Sequence, residues 1–109
     1  MSLRFDCLET SYELIRELRG VLDVIRRRDR KLHDQLTRAL TSVSLNIAEG
    51  RSRVGQDKRH LWRVALGSAE EVQAGLRVAD AFGYVSVDDW STAGESLTRI
   101  RKMLWRMTH

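Results

Sequence analysis

Residues 37–53 read TRALTSVSLNIAEGRSR, and the fold turns on how this stretch is read. Leu36, Leu40, Val43, Ile47 and Gly50 recur at alternating steps of four and three residues, the period of one face of an α-helix. Arg38, Ser42, Asn46, Glu49 and Arg53 follow the same period and form a polar stripe beside the apolar one. Asn, Glu and Arg together resemble an active site. Pairing with the next helix through a loop at 51–56 gives a simpler reading. Arg38 then faces Ser68 to Glu71, and Glu49 faces Lys58 to Arg59. Opposite charges meet in a structural polar seam of Arg38, Ser42, Asn46, Glu49, Ser68 and Glu71. Such seams fix register more than they add stability.

The neighbouring segments keep the helical period. Leu8, Ser11, Ile15, Leu18, Leu22 and Ile25 predict a first helix, widened by Tyr12, Leu14 and Val21, with Asp6 and Glu9 as a capping-box start. The charge run RRRDRK at 26–31 is the expected first turn. Gly50 and Gly55 mark the second loop. Leu61, Ala65, Ser68, Val72, Leu76 and Ala79 predict a third helix ending near Gly83. Trp90, Ala93, Leu97, Ile100, Leu104 and Met107 give the fourth, with Ser86 and Asp89 at its N-terminus. The only place for a strand is 81–87, which would have no partner.

The chain has 109 residues and no proline, which suits a single helical domain over residues 1–109. Helices of this size with short loops predict an all-α, up-down-up-down antiparallel four-helix bundle. The longest uncharged run, Ala39 to Ala48, is far below the roughly 18 residues of a membrane span. The N-terminus has no apolar leader, so a soluble cytoplasmic protein with no membrane partner is expected.

The formal net charge is +4 and the pI is about 9.8, which makes an acidic partner such as RNA or DNA a candidate. The bundle topology sorts the charges. Arg51, Arg53, Lys58, Arg59 and Arg63 fall at one end with Arg4, Lys102 and Arg106. At the other end Asp80, Asp88 and Asp89 partly offset the RRRDRK run. The basic end is the expected nucleic-acid-binding site, since arginine forks bind phosphate oxygens without reading base sequence. Trp62 and Trp105 lie near it and have the chemistry to stack on unpaired bases, although packing is the commoner role.

No catalytic, cofactor-binding or metal-binding residues are expected. His33, His60 and His109 have no metal-ligand spacing, and Cys7 is a lone packing residue. Glu70 and Glu71 are adjacent on a helix and point about 100° apart. Phosphate-binding and nucleophile motifs are missing, so an enzyme is not expected. Ala39, Leu45, Ala48, Val64, Ala74 and Val78 give helices 2 and 3 a second small or apolar face, which favours self-association.

The run Gln35 to Arg53 with NIAEG at 46–50, then ALGSAEE at 65–71 and FGY at 82–84, resembles the four-helix-bundle proteins encoded by intervening sequences in bacterial 23S ribosomal RNA genes. The resemblance spans about residues 8–107. It extends to the accessory variability determinant proteins of diversity-generating retroelements, which bind nucleic acid and a reverse transcriptase. It implies a homopentameric barrel with a basic surface, a nucleic-acid-binding role and no catalytic residues. Trp62 departs from the phenylalanine expected in relatives. The competing reading is a structural or adaptor module for a protein partner such as a reverse transcriptase.

Overall fold

Ser2 opens the first helix: its side chain accepts a hydrogen bond from the Phe5 amide at 3.2 Å, satisfying one of the free donors of the first turn. In the computed structural model, which describes residues 2–109, the helices are α1 (Leu3–Arg28), α2 (Arg30–Arg51), α3 (Gly55–Ala81) and α4 (Ser91–Thr108), with a 3₁₀ turn at Val87–Trp90. No strand occurs among the described residues. The expected start at Asp6 is corrected by a full turn, because Ser2 has the better position for a cap.

The RRRDRK turn is also shorter than its charge suggested. Only Asp29 lies outside a helix there. Its backbone N–H reaches the Ile25 carbonyl at 2.7 Å, closing α1, and its carboxylate accepts from the Leu32 amide at 3.0 Å, opening α2. Tyr84 Oη donates to the other oxygen of the same carboxylate at 3.1 Å, tying the loop after α3 to this turn. Desolvation, followed by the Asp29 contact, raises the Tyr84 pKa above its usual value. Arginines fill the last turn of α1, where cations favour the negative end of the helix dipole.

The contacts between helices run in opposite directions along paired elements. On α2 and α3, Ile47 meets Trp62, Ser42 meets Ser68 and Leu36 meets Gly75. On α3 and α4, Arg63 meets Thr108 and Gln73 meets Arg101. Ser11 of α1 reaches Ser44 of α2, and Glu17 of α1 reaches Ser96 of α4. Each helix therefore packs on its two neighbours in an up-down ring measuring 42 × 24 × 20 Å.

The core follows the sequence periodicity, with local shifts. Leu14, Leu18, Ile25, Leu36, Ile47, Leu76, Leu97, Ile100 and Leu104 are fully buried. Cys7 is buried as expected, and burial pushes its thiol up to about 12. On α3 the buried positions are Trp62 and Ala69 in place of Leu61 and Ser68, which are half-buried. Ala39 also belongs to the core rather than to an outer face. Leu45, Val64, Ala74 and Val78 remain exposed on α2 and α3. The capping box after α3 forms, with the Ser86 amide donating to Asp89 Oδ2 at 2.8 Å, but it caps the 3₁₀ turn that leads into α4.

Candidate nucleic-acid interface

The NIAEG stretch holds the architecture together. Ile47 is fully buried, and its carbonyl accepts from Trp62 Nε1 at 3.3 Å. Gly50 lies directly against the indole, so a Cβ there would fall 2.7 Å from Trp62 Cδ1. The sequence places Gly50 both at the end of the apolar helical stripe and, with Gly55, at the loop. It is helical and buried, as the stripe requires, and its missing side chain gives Trp62 its seat. Gly55, with φ +63°, is the residue that makes the turn into α3, because only glycine adopts that conformation without steric cost.

The predicted seam divides in two. Asn46 Nδ2 donates to the Ser42 carbonyl at 2.8 Å and to Ser42 Oγ at 3.0 Å, and Ser42 Oγ meets Ser68 Oγ at 2.7 Å. This half joins α2 to α3. The charged half does not form as expected. Glu49 pairs with Arg53 of the following loop at 3.1 Å, not with Lys58 or Arg59. Arg38 and Glu71 are exposed and have no ion-pair partner among the described residues. Solvated long side chains gain little from such pairs.

The seven basic residues predicted for binding lie on the elements that meet at one end of the ring. Arg51 closes α2, Arg53 lies in the loop, Lys58, Arg59 and Arg63 occupy the first turns of α3, and Lys102 and Arg106 lie towards the end of α4. Among the described residues, Arg53 is the one member of this group with a carboxylate partner. Arg51 lies 5.9 Å from the Phe5 ring centroid. Arg4 and Lys58 lie 5.5 and 5.4 Å from that of Trp62. Arg63 reaches the Thr108 carbonyl at 3.4 Å, bridging the start of α3 to the end of α4.

The opposite end contrasts with this. Arg26 and Arg27 both pair with Asp23, at 2.8 and 2.7 Å, and these contacts, led by the Arg26 hydrogen bond, hold the Asp23 carboxyl below its usual value. Lys58 and Arg59 also sit in the first turns of α3, at the positive end of its dipole, where cations are disfavoured. They do not serve helix stability. Val54, at the N-cap of α3, provides no side-chain hydrogen bond, so the first amides of the helix add donors beside these cations.

Gly50 and Trp62, which fix this geometry, lie within the part of the chain that a family model covers. The model of the 23S rRNA-intervening sequence protein family matches residues 4–106. The chain belongs to that family. A crystal structure of a protein of unknown function from the S23 ribosomal protein family of Bacteroides thetaiotaomicron has the same fold, with a TM-score of 0.87, 18% identity and 98% of each chain covered. Comparison with curated proteins finds no match.

The tryptophans of this family member separate by burial. Trp62 and Trp90 are core residues, 3% and 7% exposed, whereas Trp105 is 56% exposed. Trp105 lines a groove of about 600 Å³ between α3 and α4 with Leu66, Glu70, Thr98, Arg101, Lys102 and Arg106. Arg101 was not singled out from sequence. Its guanidinium donates to Gln73 Oε1 at 2.6 Å and lies 3.7 Å from Glu70. Its position four residues before Trp105 was the available signal, since such residues share a helix face. Among the described residues there is no helix long and apolar enough to cross a membrane, and no group of three or more potential ligands that could hold a metal ion.

Proposed function

We propose that this family member is a non-enzymatic nucleic-acid-binding protein whose basic end contacts the phosphate backbone of RNA or DNA without base-specific readout. The observation that carries this reading is the difference between the two ends. Arg51, Lys58, Arg59, Arg63, Lys102 and Arg106 have no carboxylate partner among the described residues, whereas at the other end Arg26 and Arg27 share the Asp23 carboxylate and Asp29, Asp34, Asp80, Asp88 and Asp89 offset the remaining cations of the RRRDRK run. Unpaired cations release counterions from a polyanion on binding, which gives sequence-tolerant, salt-sensitive affinity. In this reading the protein works in the cytoplasm and is a homo-oligomer, pentameric by family resemblance. Exposed Leu45, Val64 and Val78, at 61%, 38% and 41%, support self-association, and a ring repeating the basic end multiplies weak contacts.

The test is a titration of the protein against structured RNA and duplex DNA at low salt, with light scattering to give the oligomeric state. Charge reversal at Arg51, Arg53, Lys58, Arg59 and Arg63 is expected to abolish binding and leave the fold intact. Binding that survives the reversal removes the basic end from the account. Absence of any binding at low salt favours the adaptor reading, with a protein partner such as a reverse transcriptase.

A further inference from the structure

Trp105 is the feature of the basic end that phosphate contacts leave unexplained. A tryptophan 56% exposed keeps a large apolar ring in water, and such a ring is more often buried. The ring is also held in place. His109 stacks on it with centroids 3.4 Å apart and 14° between the planes. The imidazole is fixed in turn, with Nδ1 at 2.9 Å from Thr108 Oγ1 and 3.2 Å from the Trp105 carbonyl. One face of the indole is therefore covered, and the opposite face is the one left for a ligand in the α3–α4 groove.

The groove has an apolar part, Leu66 with the indole, and a cationic rim of Arg101, Lys102 and Arg106. Its volume of about 600 Å³ lies within the range of roughly 300–1,000 Å³ typical of small-ligand clefts. Glu70 is the one carboxylate on the lining, and Arg101 lies 3.7 Å from it, so Lys102 and Arg106 remain for an anion. An aromatic platform beside unpaired cations matches the two chemistries of a nucleotide, a flat base and its phosphate.

We propose that this groove binds an unpaired base of a single-stranded nucleic acid, stacked on the free face of Trp105, with the adjoining phosphates on Lys102 and Arg106. The inference rests on the nucleic-acid reading above and adds a preference: in a duplex the base faces are already stacked and cannot reach the indole. Every base has a flat face, so the contact discriminates strandedness rather than sequence.

Binding of oligo(U), oligo(dT) and a DNA duplex of equal length, followed by anisotropy over a series of salt concentrations, tests it. The first two probes distinguish RNA from DNA as the source of the base. Single strands are expected to bind more tightly than the duplex and to quench part of the tryptophan emission, a quenching that Trp105→Ala loses. Trp105→Ala should weaken single-strand binding about 5- to 100-fold, leaving duplex affinity and the salt dependence unchanged. Trp105→Phe should retain most of the affinity. Circular dichroism checks that both variants fold.

Equal affinity of wild type and Trp105→Ala for single strands overturns the stacking proposal, as does an equal loss for single strand and duplex. If charge reversal at the basic end still abolishes binding in that case, the phosphate reading stands alone. If no oligonucleotide binds wild type at low salt, both readings fail, and the groove is left as a protein contact.

Discussion

Gly50 and Trp62 form a single packing unit across the α2–α3 interface: the glycine lies against the indole, which donates to the Ile47 carbonyl at 3.3 Å. A side chain at residue 50 has no room unless the tryptophan moves. Because the same indole underlies Arg4 and Lys58, this contact also positions part of the basic end.

Gly50→Ala is therefore expected to destabilise the protein by about 1–3 kcal/mol, the usual cost of overpacking a close contact. Trp62→Phe should cost less alone and should relieve part of the Gly50→Ala penalty. Denaturant unfolding of the two single variants and the double variant measures the coupling. Simple additivity would show that the two residues do not share a contact.

The divided seam gives a second contrast. Asn46→Ala removes two hydrogen bonds to Ser42 and is expected to cost about 1 kcal/mol. Arg38→Ala and Glu71→Ala alter exposed, unpaired side chains and should stay within about 0.5 kcal/mol. Equilibrium unfolding checks both. A large effect at Arg38 would restore the charged seam that the sequence suggested.

Helical periodicity carried the fold because each helix buries one face. Leu36, Leu40, Val43 and Ile47 follow it without exception. Periodicity could not show the rotation that exchanges Ser68 for Ala69 in the core of α3, since both are small residues on neighbouring positions. It also could not separate Gly50 from Gly55: one is required by an approaching indole and the other by a positive φ, and sequence records only that both are glycine. The position of the basic end followed from topology. The pairing state of each cation did not, because Glu49 has basic residues within reach on two sides and chooses the local one, Arg53.

Cys7 supplies a pH prediction. Burial raises its folded pKa to about 12 from a usual value of 9.0, so the unfolded chain loses the thiol proton first. The stability contributed by the neutral thiol is fully present below about pH 9 and declines as pH rises towards 12, with a limiting slope of about 1.4 kcal/mol per pH unit. Cys7→Val should flatten that part of the pH–stability curve. Under native conditions the thiol should react with Ellman's reagent only as fast as the protein opens, and rapid labelling of the folded protein would contradict its burial.

Charge placement can be tested against charge amount. Arg26→Glu with Arg27→Glu lowers the net charge at the end where both arginines already pair with Asp23. Nucleic-acid affinity is expected to change little, by less than about threefold, because these sites lie beyond effective screening distance from the basic end. An equally large loss from reversals at either end would mean that net charge alone drives binding.

The most direct measurement of the central claim is the salt dependence of binding to a DNA duplex, compared between wild type and a variant with Arg51, Arg53, Lys58, Arg59 and Arg63 reversed. Wild type should show a steep linear fall of log K with log salt, losing about 0.9 in slope for each phosphate contact removed. The reversed variant should bind too weakly to measure at the lowest salt. A wild-type affinity independent of salt, or a variant that keeps the wild-type slope, would contradict the assignment of the basic end as the binding surface.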